Sequence, residues 1–329
     1  LKFFFEGEEE AGSPHLEALL AGNRERLRAD LWLLLDGPVH QTRRMALYFG
    51  ARGIIDLELT LYGPSRPLHS GHYGNWAVNP IAALARLLAG MRDEEGRITI
   101  DGFSEAVRPP TEAEVRAVAQ APPVEETLRR DLLLGRTEGS GASLSEGILL
   151  PAFNLRGIAG GRVGEGATNS IPTEATASID IRLVPDLTPE KARERVEEHV
   201  RRQGYTVVHE EPTPEARVAH PRIARLVWGP GYPASRTPMD LPASRGVIRT
   251  VEEWNGSSVV KLPTLGGSVP MHLFSEILKS PVVGVPIVNH DNDQHAANEN
   301  LRLQNLWDGI EVYAALMARL SALWEEPRP

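Results

Sequence analysis

The chain has 329 residues, 41% of them hydrophobic, with Gly and Pro in ordinary numbers, so it reads as two globular domains rather than a disordered tract. A net charge of -9 argues against a broad nucleic-acid surface, and the lack of cysteine excludes disulfides and thiolate metal ligands. No run of 18 apolar residues and no signal-peptide pattern stands out, so no membrane span and a cytoplasmic protein are expected.

Leu1 to Phe5 is an apolar run, read as a buried strand, and an opening inside a strand predicts that a segment precedes it. Glu6, Glu8, Glu9 and Glu10 follow with no basic residue among them. Their mutual repulsion is relieved by a cation or a proton, or they form a solvated acidic turn. Ser13 and Pro14 suit the start of a helix over Leu16 to Arg28. A second apolar strand, Leu31 to Leu35, runs into Asp36-Gly37. Open α/β sheets keep site residues at such strand ends, although a plain Asp-Gly turn fits as well.

Ile55, Leu57, Leu59 and Leu61 alternate along a half-buried, antiparallel strand, and His69 and His72 lie in the glycine-rich loop that follows. Asn79-Pro80 starts a helix with an Ile81, Leu84, Leu88 stripe. Residues 92–150 show no repeat and include a flexible loop over Gly139 to Ser145. From Ala175 to Val184 the alternation returns, with Ala175, Ala177, Ile179 and Ile181 on one face and Arg182 on the other. The guanidinium fork of Arg182 suits a carboxylate ligand, and a surface pairing with Asp180 or Asp186 is the plainer alternative. Asn169 suits a turn. A charged helix over Pro189 to Gln203 and a strand over Tyr205 to Val208 complete two strand-helix-strand units, which fits a ferredoxin-like α+β domain.

His220-Pro221 opens the return to the first domain. After a strand at Val259 to Leu262, the run Thr264-Leu-Gly-Gly-Ser-Val-Pro270 exposes backbone N–H groups at Gly266 and Gly267 beside the Ser268 hydroxyl. It reads as an anion pocket before a helix over Leu273 to Leu278, or as a tight turn. Pro281 to Val288 is a central apolar strand that leads into a loop dense in His and Asp, from Asn289 to Asn300. Asn298-Glu299 is expected to cap a last helix whose core stripe is Leu303, Leu306, Ile310, Tyr313, Leu316 and Met317.

Five of these motifs, in order, resemble the M20 metallopeptidase family, a group of dipeptidases, aminoacylases and carboxypeptidases with a co-catalytic metal pair. They are Glu6-Gly-Glu-Glu-Glu-Ala-Gly-Ser13, Asp36, His69-Ser-Gly71, Asn169-Ser-Ile-Pro172 with Ile179-Asp-Ile-Arg182, and Gly266-Gly-Ser-Val-Pro270 together with His295-Ala-Ala-Asn-Glu299. The resemblance implies a mixed-sheet α/β catalytic domain with an inserted ferredoxin-like dimerisation or lid domain. Its segments are 1–50, the lid at 51–218 with the insertion at about 92–150, and 219–329. By the same resemblance Glu9 is the general base, Glu10 and His295 are ligands of one metal, and Asp36 is a ligand of the other. His69 reaches a partner subunit's site, while Arg182, Ser268, Gly267 and Asn169 bind substrate. His290 and Asp293 are left as supports for the ligands. Two divalent ions are implied, zinc first, with manganese or cobalt as alternatives. The family's bridging Asp and its His-x-Asp motif are not found in this chain, since His15 and His40 lie on the wrong side of the glutamates.

The expected activity is metal-dependent hydrolysis of dipeptides or short peptides with a free C-terminal carboxylate, by a homodimer formed through the lid, with no nucleic-acid or membrane partner. An N-acyl-amino-acid or carbamoyl hydrolase, with an acyl-amino-acid substrate, is the alternative within the enzymes. An inactive dimerisation or binding fragment is the alternative outside them. Residues 1–329 alone are expected to be inactive.

Overall fold

A computed structural model describes residues 1–105, 107–139 and 141–324. Positions 106 and 140 of the expected insertion and 325–329 of the expected last segment lie outside it. In chain order the strands are β1 (Trp32–Leu34), β2 (Ala46–Tyr48), β3 (Gly50–Ala51), β4 (Gly53–Tyr62) and β5 (Leu68–His69). Next come β6 (Ala152–Ala159), β7 (Ser170–Ile171), β8 (Glu174–Leu183) and β9 (Thr206–Val208). The last are β10 (Ile223–Tyr232), β11 (Ser235–Arg236), β12 (Val260–Leu262) and β13 (Val282–Gly284).

Four of them make a mixed sheet in the order β1-β13-β2-β12, parallel at both ends and antiparallel where β13 meets β2. The central approach is close: a Cβ on Gly284 would lie 2.0 Å from the buried ring of Tyr48. Tyr48 in turn donates its hydroxyl proton to the Asp36 carbonyl at 2.9 Å, which fixes the end of β1. Helices Pro242–Asn255 and Leu303–Leu323 pack together on this sheet around Val247, Val251, Val312 and Leu316.

The second sheet has the order β6-β8-β4-β10-β9. Ile55, Leu57, Leu59 and Leu61 of β4 face Ala175, Ala177, Ile179 and Ile181 of β8, all buried, as the alternation predicts. Helices Pro80–Ala89 and Pro189–Arg202 cover that face. The strands β4, β6, β8 and β10 have the order of a ferredoxin-like sheet. Its fourth strand is therefore Ile223–Tyr232, beyond the expected return point, and Thr206–Val208 is an added edge strand parallel to it.

The insertion does not stand apart from the catalytic sheet. Helix Glu112–Gln120 packs on β12, and its buried Glu114 pairs with Arg108 at 3.2 Å and Arg236 at 3.4 Å.

Four local expectations are corrected. Leu1 to Phe5 is not a strand: Leu1, Phe3 and Phe5 are exposed, and Phe4 alone turns in, edge-on to Trp32 and Phe274. Ser13 does not cap the next helix. It takes a left-handed φ of 50°, and the helix runs only Leu16–Gly22 before Asn23 interrupts it. The helix after the glycine turn begins at Met271 and ends at Ile277. The last helix starts at Leu303 after Arg302, not at Asn298-Glu299, and buries Gly309, Val312 and Leu316 while Leu303, Ile310 and Met317 stay exposed. Among the described residues no helix is long and apolar enough to cross a membrane.

Candidate active site

The acidic turn becomes a single helical turn, Glu9–Ala11, closed by Gly12 in the left-handed region at φ 83°. Glu8 leaves it sideways and binds His15 Nδ1 at 2.8 Å. Glu9 and Glu10 remain near Asp36, which follows β1, and near His295. Burial raises the pKa of Glu9 above the usual carboxylate range, and the nearby charges of Asp36, Glu10 and Glu6 push it the same way, against His295. Glu9, Glu10, Asp36 and His295, set 26 to 286 residues from one another except for the adjacent pair, thus come near one another. His295 Nδ1 lies 3.3 Å from Glu10 Oε2.

The loop that presents His295 is stitched by Asn289, which bonds Asp291, Asn300 and the Arg302 backbone N–H. Arg302 pairs with Asp291 through both nitrogens of its fork. Asp293, His295 and Asn298 all take left-handed φ angles of 55–67°. Such angles are uncommon away from glycine and concentrate where a loop aims a side chain. Asp293 uses its carbonyl to accept the Ala296 N–H, and His290 Nδ1 is buried without a partner.

These donors do not close a metal centre. Zinc takes about four ligands, usually three or more from protein. Glu10 and His295 give two, and among the described residues no group of three or more His, Cys, Asp or Glu is arranged to hold a metal ion.

A second cluster forms where the lid meets the glycine turn. Arg182 Nη1 donates to Ser268 Oγ at 3.0 Å, and Arg182 Nε to Asp180 Oδ1 at 3.2 Å. The pairing of Arg182 with Asp180 is thus realised, and Asp180 aligns the fork toward Ser268. Gly267 lies in the same turn, and a Cβ there would stand in ordinary contact with Leu265 Cδ2 at 4.0 Å. Sequence reasoning missed Tyr232, which lies close to Ser268 and stacks on His272 at 5.0 Å. It ends a strand through Gly229-Pro-Gly231, a run without a chemical signal. Arg52 was also missed as a site neighbour. Its pKa is lowered to about 10, first by burial and then by the charge of Arg182.

His69 and Asn169 meet in the lid. The β5–β7 pair sets His69 opposite Ser170, and Ser70 N–H donates to the Asn169 carbonyl at 2.9 Å. The exposed His69 ring accepts the Gly71 N–H at 3.1 Å and lies 4.7 Å from the His72 ring. Those contacts are all within the lid.

Comparison with known proteins matches residues 49–207 to the peptidase dimerisation domain. The Cys-Gly metallodipeptidase DUG1 of Saccharomyces cerevisiae is 27% identical over 95% of this chain and 64% of its own length. For the Beta-Ala-His dipeptidase of Homo sapiens the figures are 26%, 98% and 62%, so the chain spans just under two thirds of these relatives. Among solved structures, the M20 family metallo-carboxypeptidase Sso-CP2 from Sulfolobus solfataricus superposes with a TM-score of 0.81 at 25% identity, covering 96% of this chain and 69% of that one. The motifs in order, the two-sheet fold and these matches agree: residues 49–207 match the peptidase dimerisation domain, and the chain as a whole is similar in sequence and fold to the dipeptidases and carboxypeptidases of the M20 metallopeptidase family.

Proposed function

We propose that this chain carries the base and the carboxylate-binding part of a metal-dependent hydrolase that cleaves the amide bond of dipeptides or short peptides with a free C-terminal carboxylate. The observation behind it is the Arg182–Ser268 contact, which joins two segments 86 residues apart into a clamp of donors. Neither residue is an acid, and a planar guanidinium backed by Asp180 is already oriented for a carboxylate. Glu9 takes a proton from the attacking water and returns it to the leaving amine. Its raised proton affinity suits a group that must both accept and release one. His69, supplied by a second copy through the dimerisation domain, stabilises the oxyanion. A divalent metal pair belongs to this reading, with Glu10, His295 and Asp36 among its donors. Because those donors leave both sites open, no step is assigned to the metals. A soluble, cytoplasmic homodimer completes the proposal.

The test is amidation of the substrate's C-terminus in the active enzyme. Loss of a charged hydrogen bond with Arg182 left unpaired costs about 2–5 kcal/mol in kcat/KM. Equal turnover of acid and amide would reject the clamp and favour an aminopeptidase.

A further inference from the structure

We propose that the segment from Leu144 to Leu150 is the wall on which the side chain of the substrate's C-terminal residue rests, so that Ile148 and Leu150 set which residue is accepted there. The proposal builds on the dipeptide reading and deepens it.

Three independent contacts place this segment beside the clamp. The register of β6 on β8 puts Ala152 directly opposite Arg182, so the chain arriving through Leu150 and Pro151 runs alongside the clamp's guanidinium. Arg52, itself only 9% exposed, donates from Nη2 to the Gly147 carbonyl at 3.3 Å and to the Leu150 carbonyl. The charge of Arg182 bears on Arg52, which places the two guanidiniums near each other. Ile148 lies over the glycine turn: a Cβ on Gly266 would stand 3.3 Å from Ile148 Cδ1 and 3.6 Å from Cγ1. Gly266 is two residues from Ser268, so the absence of a side chain there lets Ile148 approach the clamp.

The segment is also held at its start. Ser143 and Glu146 form a reciprocal helix cap at 2.7 and 3.2 Å, and Leu144 N–H donates to Glu125 at 2.9 Å. A fixed backbone thus presents apolar side chains that are not consumed by the core, Leu150 being 56% exposed and Ile148 half-buried. A carboxylate in the clamp puts its α-carbon one bond away. The side chain on that carbon is then within reach of Ile148 over the glycine turn, and of Leu150 two residues on.

The experiment uses the 329-residue chain and product amino acids, with affinity read by NMR titration, so it needs no turnover. L-leucine is expected to bind about tenfold tighter than glycine, the scale of a small apolar pocket. Ile148→Ala should cut that ratio to about twofold, and Ile148→Val should fall between. Equal binding of leucine and glycine by the native chain overturns the wall, as does a ratio unchanged in both variants. L-leucinamide separates the two readings. If it binds as well as leucine, or if none of the three probes binds, the clamp fails and the wall fails with it. If leucine beats leucinamide while leucine and glycine bind alike, the clamp stands and only the wall falls.

Discussion

His272 is 8% exposed and lies parallel to the Tyr232 ring at 5.0 Å. Burial alone pushes its pKa down to about 4 from an ordinary 6.5, since no anion compensates a charge there and its Nδ1 lacks a partner. Between about 6.5 and about 4 the unfolded chain holds this proton and the folded chain does not. Stability contributed by the neutral ring is thus full above 6.5 and is lost as the pH falls toward 4, by about 3 kcal/mol. His272→Phe keeps a ring to stack on Tyr232 and removes the titration. Urea midpoints at pH 7.5 and 4.5 should therefore fall less in the variant than in the native chain. An equal fall in both would show that His272 is already protonated in the folded state at the lower pH.

At the scale of elements, what could be read from the sequence depends on how local the deciding contact is. The β4 and β8 alternation was legible because both strands carry their apolar faces in their own residues, and the register between them preserves it over ten pairs. The last helix was misread because its buried face is chosen by a glycine. A Cβ on Gly309 would lie 2.7 Å from Ile287, so the helix sits closest at Gly309 and turns Val312 and Leu316 inward rather than Leu303 and Ile310. Leu1 to Phe5 failed for a related reason: an apolar run becomes a strand only when another strand pairs with it, and among the described residues none does. In the site, Glu9, Glu10, Asp36, His295, Arg182 and Ser268 were legible through their motifs. Tyr232, Arg52 and Ile148 were not, since only the β10, β3–β11 and β6 pairings carry them to the clamp. The short β5–β7 pair makes a prediction of its own. It holds His69 on an exposed arm, with the ring's Nδ1 already committed to Gly71. A side chain fixed on the surface and away from its own carboxylates is suited to a neighbour's site. In the active enzyme, mixing His69→Ala with Glu9→Ala subunits should restore activity that neither homodimer has, because one site in each mixed dimer keeps both groups. No recovery in proven mixed dimers rejects the role in trans.

For the whole molecule, the two sheets differ in what they need from elsewhere. The five-stranded sheet closes its own core, with helices Pro80–Ala89 and Pro189–Arg202 covering β4 and β8, and Arg182 is anchored there by Asp180. Among the described residues the four-stranded sheet instead gathers carboxylates at its strand ends without a group of donors to hold a neutralising metal ion. Glu9 is surrounded by Asp36, Glu10 and Glu6, and the one ring that opposes them, His295, lies on a loop and is 65% exposed. A cation placed there would find Glu10 and His295 on one side and Asp36 on the other. That is fewer donors than a zinc ion takes. Residues 1–329 expressed alone should therefore bind zinc weakly and fail to hydrolyse dipeptides. The five-stranded sheet should still show cooperative unfolding, and the leucine titration of the clamp should still succeed. The measurement is bound zinc after dialysis, by atomic absorption, together with dipeptide turnover on the same sample. Two tightly held zinc ions per chain with turnover would defeat the donor count. It would require His290 or Asp293 to swing into the site, and His290→Ala and Asp293→Ala would then each release metal. Weak zinc with intact leucine binding separates the two halves of the site, a clamp complete within the chain and a metal centre that is not.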